Sequence, residues 1–263
     1  MVRKLALVAV LCTVSCLGVA RADTLSEIKE RHKLMVGIDL GLPPYGTVDS
    51  AMQPTGSDVE AARLLAADLG VDLDIVPTTG ANRIPFLQTH KIDVVMSSFS
   101  VTEARKKVVD FSRPYGMITI ICAAPAAVSV ASAKDLEGKT VAVTRGTGAD
   151  ADATKIAKED DKISIARFDD DATLITALSS GQQDIMISAP AQMRDINQRA
   201  PDRKLEQKFV IRTNGYAVGL RKDDKTLLDA VNDWVAKDLA DGKLRAVYAK
   251  WHQAELPVEM PLE

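Results

Sequence analysis

A chain of 263 residues, 46% hydrophobic and 26% charged, has material for one large domain or two of about a hundred residues each. Its formal charge of −3, with no basic cluster interleaved with aromatics, speaks against a nucleic-acid partner. Of three cysteines only Cys122 lies beyond residue 16, so no disulfide can staple the body of the chain and the core must hold it.

The elements can be taken in order. Arg3 and Lys4 open a basic start, residues 5–19 are largely apolar, and Ala20-Arg21-Ala22 supplies a small-x-small cleavage pattern. Residues 1–22 therefore read as an export signal, too short for a comfortable membrane span. Cys16 invites a lipid-attachment reading, but Thr13 stands where that motif wants a larger aliphatic residue, which favours cleavage before Asp23. Residues 1–22 hold three bases and no acid, so the formal charge of the mature chain falls to −6.

Residues 34–39 read as a strand and 41–46 as the loop after it. Ser57 and Glu60 make a capping box, and Val59, Ala62, Leu65, Ala66 and Leu69 recur at helical spacing until Gly70 stops the helix. A strand over 71–76, a short helix over 83–89 carrying Pro85 in its first turn, and a buried strand over 92–96 follow. This β-α-β-α-β order predicts a mostly parallel sheet with helices on both faces and a ligand at the strands' carboxyl ends. A second round has strands over 118–124, 140–144, 163–168 and 184–188, with helices of about ten residues between them, one capped near Asp170 or Asp171. Residues 115–119 and 212–216 read as crossings between the rounds. A strand over 216–220 and helices over 227–239 and 243–251 then complete the first. The expected organisation is lobe one from 23–115 and 216–263, lobe two from 116–215, and a two-strand hinge that lets them close on a ligand.

Two stretches offer chemistry. Ser97, Ser98 and Ser100 follow the 92–96 strand, Thr102 can cap the next helix, and Arg105 lies about one turn into it. Hydroxyls, free helix amides and one guanidinium make a cradle for a small carboxylate. Gly146-Thr147-Gly148 lies between a strand and a helix, so its amides can face an anion; no Lys-Ser or Lys-Thr pair follows, which excludes a nucleotide P-loop. Arg145 either adds positive charge there or points to solvent. His32, His90 and His252 lie outside both stretches and show no metal spacing, and no G-x-S-x-G elbow is present. No catalytic residue, metal or cofactor is expected.

S-S-F-S-V-T-E-A-R (97–105) and V-V-D-F-S-R-P-Y (108–115) resemble the carboxylate-holding segment of periplasmic amino-acid-binding proteins of ABC importers, the family 3 extracellular solute-binding proteins. The resemblance extends through G-I-D-L-G-L-P-P-Y-G (37–46), G-S-D-V-E-A-A-R-L-L-A-A-D-L-G (56–70), N-R-I-P-F-L-Q (82–88), G-K-T-V-A-V-T-R-G-T-G (138–148) and D-G-K-L-R-A-V-Y-A-K-W (241–251). It implies a type II α/β periplasmic binding-protein fold, each lobe a mostly parallel sheet flanked by helices. The implied function is a monomeric periplasmic receptor that takes an amino acid or related small carboxylate to an inner-membrane ABC permease. The alternatives are a cyclohexadienyl dehydratase-like enzyme on the same fold and a sensory ligand-binding module.

By the same resemblance Asp39 lies near the pocket for the ligand's side chain. Leu42 and Gly80 stand where aromatics often cover the ligand, and Tyr45 either compensates or packs in the core. Thr147 and Gly148 offer second-lobe amides, and Asn82 and Arg83 border the mouth. Ala189 occupies the position of the Asp that usually holds the α-ammonium. Either Asp39, Ser98 and Ser100 hold the ammonium, or the ligand lacks it and its acidic groups matter more.

Overall fold

The protein is described by a computed structural model over residues 23–262. The export signal and Cys16 lie outside these residues. The chain opens with α1 (Thr24–Glu30), capped by the Asp23 carboxylate, then β1 (Lys33–Ile38) and a small ribbon of β2 (Thr47–Val48) and β3 (Pro54–Thr55). Next come α2 (Ser57–Leu69), β4 (Asp72–Pro77), α3 (Arg83–Gln88), β5 (Val94–Val95) and the four-residue α4 (Glu103–Lys106). The long β6 (Val109–Pro125) leads to β7 (Thr140–Thr144), α5 (Gly148–Glu159), β8 (Ser164–Phe168), α6 (Asp171–Ser180), β9 (Ile185–Ser188) and α7 (Pro190–Arg199). A second long strand, β10 (Leu205–Arg221), returns to α8 (Lys225–Ala240) and α9 (Lys243–His252).

The main sheet runs β4-β1-β5-β10-β6-β9-β7-β8. Its two ends are parallel triplets, β4-β1-β5 and β9-β7-β8, and between them lies the antiparallel pair β10–β6 that both halves share. Midway along the pair Ile118 faces Asn214 and Thr119 faces Thr213, whose hydroxyls lie 3.0 Å apart. The strands expected over 118–124 and 216–220 are thus the ends of 17-residue strands. The C-terminal segment returns to this point: the Gly215 amide donates to the Pro261 carbonyl, and Asn214 Nδ2 to Leu262 O at 3.0 Å.

Side chains from β1, α2, β6, β10 and α8 fill the core; Val36, Ile38, Leu65, Val218 and Trp234 are essentially inaccessible. Complete burial of an aliphatic side chain contributes about 1.5–3 kcal/mol. Tyr45 is part of this core, edge-on to Tyr216 at 5.7 Å. Cys122 is buried too, and burial pushes its thiol up to about 12. The capping box does not form. Gly56, at φ 127°, is the N-cap of α2 and has no side chain to cap with, which leaves Ser57 inside the helix, its hydroxyl 3.1 Å from the His252 ring.

Candidate functional site

The carboxyl end of β5 delivers Ser97 to Ser100 to the boundary between the halves. Asp58, in the first turn of α2, fixes this loop: its carboxylate accepts from the Ser98 amide at 2.6 Å and from the Tyr115 hydroxyl at 2.9 Å. Both bonds favour the ionised form, yet complete burial outweighs them and pushes Asp58 up to about 7. Ser98 pays for its position with a left-handed backbone, φ 42°. Ser97 Oγ accepts from the Asp39 amide at 3.0 Å, tying the end of β1 to the same loop.

Two guanidiniums back the serines. Arg83 donates to Ser97 O at 2.8 Å and lies 5.2 Å from the Phe99 ring; burial lowers its pKa. Arg105 follows Thr102, whose hydroxyl caps α4 as expected. Its two terminal nitrogens donate to Ser100 O at 2.7 Å and to Gly146 O at 2.8 Å, one carbonyl from each half. Desolvation first, then neighbouring Arg83 and Arg212, hold its pKa well below the usual arginine value.

The second half supplies the facing wall. Thr147 caps α5, accepting from the Asp150 amide at 3.2 Å and donating to Thr144 O at 2.7 Å. The α5 N-terminus, with its unsatisfied amides, therefore opens at Gly148. A Cβ on Gly148 would lie 2.6 Å from Arg212 Nη2 and 3.0 Å from Ser100 Oγ, so a guanidinium and a hydroxyl converge on this helix end. Arg212 donates through Nε to Asp152 at 2.7 Å and through Nη1 to Asn214. Its buried Nη2 has no hydrogen-bond partner among the described residues.

Three consecutive aspartates open α6 and do three different things. Asp169 pairs at the surface with Arg145 at 3.2 Å, and Asp170 caps the helix through the Thr173 amide at 2.8 Å. Asp171, 3% exposed, turns inward and accepts from Thr144 Oγ1 at 2.6 Å. Its other oxygen, Oδ2, has no hydrogen-bond partner among the described residues, and neither does Oε1 of buried Gln192 on α7. Burial, reinforced by the Asp39 charge, pushes Asp171 up to about 6 against Thr144, Arg83 and Gln192.

These walls enclose a cavity of about 30 Å³. Of the candidate residues, Leu42, Ser98, Ser100, Thr147, Gly148 and Ala189 line it, together with Arg83, Asp171, Ser188 and Gln192. The remaining candidates stand elsewhere. Arg145 leaves the site because Asp169 draws its half-exposed guanidinium outward. Arg105 is buried beside the cavity, its terminal nitrogens engaged by the two carbonyls rather than presented to the interior. Asp39 is buried outside the lining and accepts from the Gly41 amide at 3.0 Å. Arg83, expected at the mouth, is a wall. A broader groove of about 670 Å³ runs between Pro43, Pro44, Trp251 and His252 on one side and Arg194 and Arg199 on the other. It holds one buried donor without a partner, Trp251 Nε1, and no such acceptor among the described residues, whereas the smaller cavity is lined by Asp171 and Gln192, which makes the smaller one the candidate site. The sequence placed Asp171 only as a candidate helix cap and Arg212 only in a crossing, and gave Gln192 no role; none of the three was expected at the site. The only signal was that a run of three aspartates exceeds what one helix cap can use.

The family model for bacterial extracellular solute-binding proteins, family 3, matches residues 34–254. The L-cystine-binding protein TcyJ of Escherichia coli (strain K12) is 30% identical over 251 residues, 95% of this chain and 93% of its own. Among solved structures, a mutant of ArgBP from T. maritima is 34% identical over 88% of this chain and 99% of its own, with a TM-score of 0.79. The ancestral amino acid-binding protein AncCDT-1, a precursor of cyclohexadienyl dehydratase, is 34% identical over 88% and 99%, with a TM-score of 0.76.

Proposed function

Because the chain belongs to the bacterial extracellular solute-binding proteins of family 3, we propose that it is a periplasmic receptor that captures an amino acid and presents it to an ABC permease. The observation that carries this reading is the cavity between the halves, with the serine loop on one wall and the α5 N-terminus on the other. A volume of about 30 Å³ is smaller than an amino acid, so loading requires the halves to part. They move as lobes, 23–115 with 216–263 against 116–215, about the crossings at 115–119 and 212–216. Contacts to both lobes favour the closed form, and only this difference in affinity shifts the population. The permease reads the closed shape. The protein acts as a monomer, and residues 1–22 direct it to the periplasm.

One observation favours a second reading. Asp171 is an acid with a pKa raised by burial inside the cavity, which is what a dehydratase on this fold requires. Binding without turnover is the function we assign, and assays on prephenate and arogenate are expected to show none. The direct test is a thermal-shift screen of amino acids, amines and small carboxylates. At a hundredfold excess over Kd a ligand stabilises the folded state by about 2.7 kcal/mol. For a chain of this size the melt rises by about 5–11 °C. A protein that no amino acid or carboxylate shifts, and that carries no co-purified ligand, is not such a receptor.

A further inference from the structure

We infer that Asp171 and Gln192 receive the ligand's amine, a task for which Ala189, the residue that opens α7, has no suitable atoms. The inference rests on the receptor reading and specifies its ligand.

Asp171 Oδ2 and Gln192 Oε1 are buried, belong to residues lining the same cavity, and find no donor among the described residues. Buried acceptors are rarely left so, because desolvating one without a donor is costly. Two of the donors nearby are committed, and the Gln192 side chain already favours the ionised form of Asp171. The Thr144 hydroxyl is taken by Asp171 Oδ1, and Arg83 donates to the carbonyls of Ser97 and Gly80. Two charged groups from neighbouring elements act on Asp171: Asp39 at the end of β1 adds negative charge, and Arg83 on α3 offsets part of it. The α6 N-terminus, on which Asp171 sits, favours its ionised form.

The two ends of the site are chemically opposite. Arg212 Nη2, a donor without a partner among the described residues, and Ser100 Oγ converge on Gly148 at the start of α5, which suits a carboxylate. Asp171 Oδ2 and Gln192 Oε1 give this end two unmet acceptors, one of them on a carboxylate, which suits a cation. Satisfying both oxygens takes a group with at least two N–H donors, such as a primary ammonium, an amidinium or a guanidinium. An amine-free carboxylic acid would leave both oxygens unmet. Of the alternatives left by the sequence, the ligand therefore keeps its amine, and the second half holds it.

The test is calorimetric titration of wild type, Asp171→Asn and the double variant Asp171→Asn/Ala189→Asp. The probes are L-glutamine, L-cysteine and L-serine with their amine-free counterparts 4-carbamoylbutanoate, 3-mercaptopropanoate and 3-hydroxypropanoate. At least one amino acid is expected to bind wild type, with its counterpart about a hundredfold weaker. Asp171→Asn should weaken that amino acid by about a hundredfold or more while leaving the counterpart unchanged or tighter. The double variant should recover at least about tenfold by returning a carboxylate to the cavity. If Asp171→Asn does not fold, Gln192→Met carries the test, with about tenfold loss for the amino acid and none for the counterpart. Undiminished amino-acid binding by the folded variant overturns this inference and leaves the receptor reading standing, as does a counterpart that binds wild type better than its amino acid. If none of the six probes binds wild type, the inferred amine site is overturned; the receptor reading falls only if the wider thermal-shift screen is also silent.

Discussion

Gly80 and Gly146 meet backbone to backbone where the loop after β4 crosses the loop after β7. A Cβ on Gly80 would lie 2.5 Å from Arg145 O and 2.9 Å from Thr147 Cγ2. A Cβ on Gly146, which holds φ 72°, would lie 2.6 Å from Gly80 O. Neither side tolerates a side chain, because what it would strike is mainly backbone. With the Arg105 bond to Gly146 O, this crossing joins the two halves.

Gly80→Ala and Gly146→Ala are expected to push the halves apart and weaken ligand binding. Displacing packed backbone costs about 1–3 kcal/mol, which is roughly five- to more than a hundredfold in affinity. Gly146→Ala should be the worse, since it adds left-handed strain. Calorimetry gives the affinity, and X-ray scattering of the ligand-saturated variant should show a larger radius than wild type. An unchanged radius and affinity would remove the crossing from the closing motion.

Arg105→Ala should weaken binding by roughly tenfold to a few hundredfold while the fold survives. It removes charge-assisted bonds to Ser100 O and Gly146 O, each about 1.5–3 kcal/mol, and so loosens the closed form. Arg105→Lys should recover little, because one ammonium cannot span both carbonyls in the guanidinium's geometry. Near wild-type titration curves for the alanine variant would end this assignment.

Asp171 and Asp58 make stability depend on pH with a definite sign. Burial raises both above the ordinary 3.8, to about 6 and about 7. The folded state therefore holds these protons more tightly than the unfolded chain, and stability declines as pH rises from about 4 to 7. Asp171→Asn removes one contribution. It should melt about 2–10 °C above wild type at pH 8, from a gain on the order of 1–3 kcal/mol, and the difference should vanish toward pH 4. Melts at several pH values decide the matter; a gain independent of pH would point to packing instead.

Arg212→Gln should weaken an amino acid far more than its carboxamide, since the substitution removes the guanidinium beside Gly148 and Ser100. The expected loss for the carboxylate form is roughly tenfold to a hundredfold. Equal losses for acid and amide would mean that Arg212 only braces β10 through Asp152 and Asn214.

The strands and most helices were legible because apolar spacing reports burial directly. The expected strands over 140–144 and 184–188 and the helix over 243–251 fall within a residue of the observed elements. Thr147 and Gly148 were legible for a local reason, a strand–glycine–helix junction. Asp171 was not. Which of three adjacent aspartates turns inward depends on the Thr144 hydroxyl, on a strand 27 residues away. The engagement of Arg105 depends likewise on Gly146, 41 residues distant, and the escape of Arg145 on Asp169. Spacing along a chain does not encode which partner wins such a contest.

The tether of Gly215 and Asn214 to Pro261 and Leu262 has a practical consequence for anyone building a sensor from this protein. A tag or surface linker joined after residue 262 would pull on the strands that join the halves, whereas one joined ahead of α1 would pull on a single half. Immobilised by its tail, the molecule would report a response curve biased by the mount; anchored by its head, it would report its own.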